Sequence, residues 1–438
     1  MMPGTVPLIL RLALLLAALA PLCASLVVDD APGARTIPIS GQAPVSGAPG
    51  LVGDALKGVP AEDRRARTYA RGRQILAVAE GLAGLLMLSL FVVGGLGRRF
   101  EVLASRTTAS ANLKVAIVAV LLTAALYAGT FPLALYAFLR ERRFGFATQG
   151  LGAWLSDQGK GLLVGALLQA ILVTVVYVAI RKLPRLWWLA GAGIGVLFVI
   201  FVLAVAPVVV DPLFNTFRPL RDADLRARIL KMARTRRIPA DEVYEMDASR
   251  QSRHTNAYVA GLLGSQRIVL YDTLLERFAP REIEFVMAHE MGHYALRHIW
   301  RSIVWATLAI VLGAFLVDRL ARAAAARFPS IGAGSLESPA SLPLLVLIAS
   351  VLFVLLTPLA NAYSRRLERE ADRFGLELTR DPLAAASCFV KFARYDLGIF
   401  RVDPWVEAIL YTHPSLGERI QAAREYARTH SEAPGAGT

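Results

Sequence analysis

Seven stretches of the chain are apolar over roughly the ~20 residues that a membrane-crossing helix needs: residues 6–28, 75–97, 115–139, 161–180, 186–210, 302–317 and 342–360. The sixth is the shortest, but Trp300 and Trp305 at its start and Asp318 and Arg319 at its end suit the two membrane interfaces. Pro132 falls inside the third, where neighbouring helices can satisfy the backbone group it frees. The first stretch has two readings, a retained helix or a signal peptide cleaved near Leu22, Cys23 and Ala24. Its amino end carries no positive charge and Arg11 is its only basic residue, which favours retention.

Between the spans the pattern changes. Residues 32–60 are rich in Gly and Pro and read as a linker. Arg64, Arg65, Arg67, Arg71 and Arg73 then precede the second span, a positive-inside signal that places this loop in the cytoplasm. Two longer polar regions, 211–301 and 361–438, flank the last pair of spans. Within the first of these, 225–235 and 280–298 have helical periodicity, whereas 243–246, 256–259 and 267–271 are short β-like runs. The predicted organisation is a first helix or signal segment (1–28), a linker and basic loop (29–74), spans two to five (75–210), the first part of a polar domain (211–301), a hairpin of spans six and seven (302–360) and the second part of that domain (361–438). This is an all-α polytopic membrane protein carrying a small α+β domain.

Composition agrees with that reading. Of 438 residues 55% are hydrophobic and only 19% charged, which excludes disordered and fibrous classes. Two cysteines, Cys23 and Cys388, are too few for a disulfide framework or a Cys-based zinc finger. The net charge of +14 first admits a nucleic-acid partner. However, residues 1–210 hold 19 basic and 9 acidic side chains, whereas 361–438 hold 11 of each. The excess therefore sits in short loops between spans, where headgroups and topology signals act. The basic run 226–237 lacks interleaved aromatic residues and reads as an exposed helix face, so no nucleic acid is expected.

The candidate chemistry starts from two of the six histidines, in His289-Glu290-Met291-Gly292-His293. Four residues turn a helix by ~400°, so both imidazoles lie on one face, one turn apart. Zinc suits that spacing, and the intervening Glu290 can take a proton from water at the open position. The context is helical: Pro280 can start the helix and Glu282 and Glu284 suit its first turn. A metzincin third ligand is missing, because Leu296 and Ile299 occupy the positions where Gly and His would follow. His298 reads as solvated or interfacial. A downstream glutamate is the other solution. His293 lies nine residues before the sixth span and Glu368 eight after the seventh. In a hairpin both then stand at similar heights, ~12–14 Å from the apolar boundary if helical. Glu370 and Glu377 compete on spacing alone. Asp372, one turn beyond Glu368, is placed to accept a hydrogen bond from a ligand histidine.

With these residues in view, the sequence resembles the type I CAAX prenyl proteases, integral-membrane zinc endopeptidases with the HtpX-type proteases as cousins. Glu368, Ala371 and Asp372 fit that family's E-x-x-A-D, whose Glu is the third zinc ligand. Asn256-Ala257-Tyr258 and the run 267–275 look like its substrate-edge region, and Thr412-His413-Pro414-Ser415 with Glu418-Arg419 resembles its H-P segment. Phe144-Gly145-Phe146, Gln149 and Pro212-Leu213-Phe214-Asn215 resemble segments beside its fourth and fifth spans. The resemblance covers about 69–427 and favours the prenyl protease branch; Ala147 replaces a usual Asn and Ser415 a common second Pro.

The resemblance implies a gluzincin-type site with one zinc ion held by His289, His293 and Glu368, and Glu290 as general base. It implies His413 as a donor to the developing oxyanion, with Arg419 orienting or supporting it, and Asn256 and Ala257 as edge residues that pair with an extended substrate. It further implies seven spans forming a helical barrel around a water-filled chamber, and a peptide or protein substrate, prenylated or not, met at the lipid bilayer. Two alternatives stay open, an HtpX-like quality-control protease and a non-enzymatic membrane scaffold with a vestigial site. With a retained first span and the amino terminus outside, the catalytic domain faces the cytoplasm; cleavage of that span inverts this.

Overall fold

The computed structural model describes residues 56–260, 267–328 and 335–431. The first predicted span, Cys23 and most of the predicted linker lie outside the described residues. After them come α1 (Arg64–Val93), α2 (Leu96–Thr107), α3 (Ala111–Phe144), α4 (Leu151–Lys182) and α5 (Trp187–Val205). A mixed segment follows: β1 (Phe217–Pro219), α6 (Ala223–Thr235), β2 (Val243–Met246), β3 (Ala257–Ala260), β4 (Arg267–Tyr271) and α7 (Asp272–Arg277). The rest is helical: α8 (Pro280–Ala295), α9 (His298–Arg327), α10 (Leu342–Thr379), α11 (Pro382–Tyr395), α12 (Pro404–Leu410) and α13 (Leu416–Ser431).

Among the described residues six helices are long and apolar enough to cross a membrane, and they overlap the second to seventh predicted spans, although the second, 75–97, is cut at Gly94 and Gly95 where α1 ends. Only 0–22% of each one's apolar window is buried, so a bilayer must cover what the protein does not. Neighbour packs on neighbour in the order α1, α3, α4, α5, α9, α10, and α10 returns to α1, so the described spans close a ring. Polar groups within it find partners across the seams: Thr123 Oγ1 donates to Gln169 Oε1 at 2.9 Å, and Tyr127 OH to Gln158 Oε1 at 3.2 Å. A polar cavity of about 630 Å³ opens beside α1 and α3, lined by Tyr69, Arg73, Glu80, Glu141, Gln149 and His254 among others.

Several helices outrun the apolar stretches that predicted them, whereas α1 stops at Val93 and α5 at Val205, short of the ends of theirs. Arg64 to Arg73 form the first turns of α1, started by Asp63, whose side chain accepts from the Arg65 N–H; the basic run is helix, not loop. α3 continues past its apolar run until Gly145, whose φ of +84° suits a residue without a side chain. α10 is unbroken from the membrane into the catalytic part.

The sheet has the order β1-β2-β4-β3, with β2 and β4 parallel and the outer pairs antiparallel. Ile268, Leu270 and Val243 enter one core with Ile283, Phe285 and Met287 of α8 and with Phe389 of α11. That core seats α8 between the sheet and α10. The run 226–237 is an exposed helix face with paired charges; Arg228 Nε reaches Glu284 Oε1 at 2.6 Å.

Candidate metal centre

α8 starts where Pro280 occupies the first turn and Glu282 Oε2 accepts the Ala279 N–H at 2.7 Å. Its inward face then carries His289 and His293, whose ring centroids lie 4.9 Å apart at 80°. α10 crosses this face closely because Gly292 and Gly375 leave room. A Cβ on Gly375 would meet Phe285 Cε2 at 3.1 Å and the His289 N at 3.3 Å.

The crossing brings Glu368 to both histidines. His289 Nε2 lies 3.3 Å from His293 Nε2 and 3.3 Å from Glu368 Oε2; His293 Nε2 lies 3.4 Å from Glu368 Oε1. Glu370 and Glu377 are elsewhere: Glu370 meets Arg301, Arg366 and His298, and Glu377 meets Arg373 at the surface. Outside this cluster, Asp372 Oδ1 is 2.9 Å from His289 Nδ1. Arg419 of α13 grips both Asp372 oxygens, through Nε at 2.8 Å and Nη2 at 2.6 Å. The Arg419 guanidinium also lies 4.4 Å from the Phe389 ring centroid.

His413 arrives from α12. Arg365 Nη1 donates to the carbonyls of Glu407 and Tyr411 at 2.9 and 2.7 Å, and Asn361 Nδ2 donates to that of Ile409 at 2.7 Å. So anchored, the segment holds His413 Nε2 3.5 Å from Glu368 Oε2, with its ring still exposed. The Ser415 N–H reaches Glu407 Oε1 at 3.2 Å, a bond a proline there would lack.

β3 is an edge strand. The Asn256 carbonyl accepts the Tyr271 N–H at 3.1 Å and Tyr258 pairs with Val269, so Asn256 and Tyr258 direct their main chain at β4. By alternation Ala257 and Val259 direct theirs at the open edge. The Asn256 side chain covers the Ala257 N–H at 2.9 Å, and the Val259 N–H bonds the Glu290 carboxylate.

These contacts shift the proton affinities. Burial opposes charge on His289, but bonds to Asp372 and Glu368 outweigh it and raise the pKa to about 9. Burial and the positive charge on His289 lower that of His293 to about 3. Burial, with the nearby Glu368 charge, raises Glu290 to about 7. Although burial pushes Glu368 the other way, the His289 bond and charge hold it down at about 2.

The cluster fits a metal ion. Glu368 Oε2 is buried without a well-aligned hydrogen bond, and the two imidazole Nε2 atoms face the carboxylate at 3.3–3.4 Å, His289 toward Oε2 and His293 toward Oε1. Ligands at ~2.0–2.1 Å from a tetrahedral zinc stand about 3.3–3.4 Å apart, and the three separations above fall there. Two imidazoles and a carboxylate are a donor set zinc accepts.

Two histidines depart from what the sequence suggests, which is a solvated or interfacial His298 and a solvated His254. His298 is 2% exposed, not solvated, because Arg297 takes a left-handed φ of +57° between α8 and α9 and folds it back onto His293. His254 is half-buried, not solvated: its Nε2 is 3.2 Å from Glu141 Oε2, its Nδ1 3.2 Å from Asp396 Oδ1, and it stacks on Phe146 at 4.0 Å. Sequence reasoning missed both, and no periodicity marks either turn.

Similarity to known proteins follows the same division of the chain. Residues 219–427 match the model of peptidase family M48, and 54–216 match that of the CAAX prenyl protease N-terminal region of five membrane helices. An uncharacterized metalloprotease, YhfN of Bacillus subtilis, is 36% identical over 312 residues, covering 69% of this chain and 72% of its own. CAAX prenyl protease 1 of Saccharomyces cerevisiae is 32% identical over 315 residues, covering 66% and 68%. The crystal structure of S. mikatae Ste24p aligns with a TM-score of 0.70 at 22% identity, covering 85% of this chain and 93% of that one, and so shares its fold.

Proposed function

The chain belongs to peptidase family M48 as a membrane-embedded metalloendopeptidase of the CAAX prenyl protease group, and from that premise we propose that it is a zinc enzyme hydrolysing extended peptides with Glu290 as general base. The observation that carries this reading is the 3.3–3.4 Å triangle of His289, His293 and Glu368. Those three residues would hold the ion, and the two His Nε2 atoms would meet it as neutral donors. Zinc supplies Lewis acidity there, polarising the scissile carbonyl and easing deprotonation of water.

This chain's residues do the rest. A substrate strand donates to the outward carbonyls of Ala257 and Val259, whose N–H groups are taken by the Asn256 side chain and by Glu290. Glu290, bonded by the Val259 N–H, takes the proton of the attacking water and passes it to the leaving amine. His413, exposed beside Glu368, donates to the carbonyl oxygen as it gains charge. Asp372 accepts from His289 Nδ1, which keeps the Nε2 lone pair directed at the metal, and Arg419 holds Asp372 in place. The ring of spans and the polar cavity of about 630 Å³ receive the membrane-side part of the substrate. Relatives named as CAAX prenyl proteases favour prenylated carboxyl termini as substrates, and the arginines that begin α1 favour a cytoplasmic catalytic side.

The test uses full-length protein in detergent, incubated with a farnesylated CAAX peptide, its unprenylated twin and an unfolded membrane protein. Zinc-dependent cleavage of the farnesylated peptide supports the reading. Cleavage of the unfolded protein alone replaces it with a quality-control role, and loss of neither activity on chelation overturns the zinc mechanism.

A further inference from the structure

The two histidines of the cluster are held from behind by different devices. His289 Nδ1 faces a carboxylate, Asp372 Oδ1, at 2.9 Å. His293 Nδ1 faces another imidazole: His298 Nδ1 lies 3.0 Å away, with the ring centroids 5.0 Å apart at 74°. On the far side of His298, its Nε2 is 3.3 Å from Glu370 Oε2. Glu370 in turn accepts from Arg301 Nη1 at 2.5 Å and from Arg366 Nε at 3.1 Å. Three helices therefore contribute one line of contacts: His293 from α8, His298 and Arg301 from α9, Glu370 and Arg366 from α10.

Two neutral imidazoles meeting through Nδ1 share a single proton, and its position has consequences. If His298 donated it, the neutral His293 would carry its own proton on Nε2, where a metal would sit, and could not ligate. If His293 donates, its Nε2 lone pair is free and His298 must carry its proton on Nε2. Only that second arrangement lets His298 donate to Glu370. Glu370, an ionised acceptor pinned by two arginines, selects it.

We propose that His298 and Glu370 are positioning residues that set the tautomer and ring orientation of His293, so that its Nε2 is presented as a metal ligand. The inference rests on the zinc reading above. It assigns a role to a histidine outside the HExxH motif and to the glutamate that competes with Glu368 on spacing. The left-handed Arg297 is the backbone feature that makes it possible, since a straight continuation of α8 would carry residue 298 away from His293.

The experiment is zinc competition against a chromophoric chelator on full-length protein in detergent, with the cobalt-substituted visible spectrum as a second readout. Loss of an outer hydrogen-bond partner typically weakens metal binding by about 10–100-fold. His298→Ala and Glu370→Ala are expected to fall in that range and to alter the cobalt bands. His298→Asn, which returns an acceptor near the Nδ1 position, is expected to recover most of the affinity. Wild-type affinity and an unchanged cobalt spectrum in His298→Ala would overturn the proposal while leaving the zinc centre intact. If that variant does not fold, the same result in Glu370→Ala, at a half-exposed position, overturns it equally. Wild-type protein that takes up no zinc overturns both this proposal and the zinc reading.

Discussion

Gly292 of α8 and Ala371 of α10 meet backbone against backbone: a Cβ on Gly292 would stand 3.2 Å from the Ala371 Cα and 3.2 Å from Phe374 Cδ1. The contact lies between His289 and Glu368 and sets how near the two helices come. Gly292→Val must push them apart. Overpacking of this kind costs about 1–3 kcal/mol, and the ligand triangle widens with it. We predict a lower thermal midpoint and at least about a tenfold loss of zinc affinity, read by chelator competition.

Asp372 and Arg419 form a buried ion pair behind His289. Removing one partner of such a pair costs about 3–5 kcal/mol, because the other is left buried and uncompensated. Asp372→Ala and Arg419→Leu should each destabilise the catalytic part by that order. The double variant should be destabilised by clearly less than their sum. Thermal unfolding in detergent of the four proteins closes the cycle; additive losses would mean the two act separately.

Much of this architecture is legible in the sequence. The runs 243–246 and 267–271 became β2 and β4 with the same bounds, since Ile268, Val269 and Leu270 form a short, wholly buried apolar run and Val243 and Met246 are buried beside it. The spans emerged from hydropathy, but their ends did not. Arg64 to Arg73 and the tail of α3 are polar turns of the same helices, and polarity marks the edge of the membrane rather than the end of a helix. Among the competing glutamates, Glu370 sits ~200° around the helix from Glu368, which puts it on His298 instead. His298 could not be placed, because its position depends on a left-handed arginine, a conformation that a non-glycine residue does not advertise.

His254 links the spans to the catalytic part, with Tyr69 OH and Glu141 on one side and Asp396 on the other. Burial opposes its charge, but the Asp396 and Glu141 bonds win and raise its pKa above the ordinary 6.5. A raised folded-state pKa contributes stability that is full below 6.5 and is lost as pH rises through the raised value. The wild type should therefore lose thermal stability relative to His254→Gln as pH rises above the ordinary 6.5. Melting points of the two proteins that move in parallel with pH above 6.5 would contradict this link.

The Val259 N–H points at Glu290 from an open strand edge, where proline is tolerated. Val259→Pro deletes that donor without touching the ligand triangle. A hydrogen bond to a charged group is worth about 1.5–3 kcal/mol, so kcat/KM should fall by roughly 10–100-fold with zinc content unchanged. Steady-state kinetics beside metal analysis separate this from general damage to the site.

The central claim is that His289, His293 and Glu368 bind zinc while Glu290 moves the proton. Glu290→Gln tests it most directly, with zinc per chain and peptide cleavage measured on the same full-length preparation. The account predicts one zinc per chain, as in the wild type, and a cleavage rate lower by about 10²–10⁴-fold. Cleavage at the wild-type rate would contradict it.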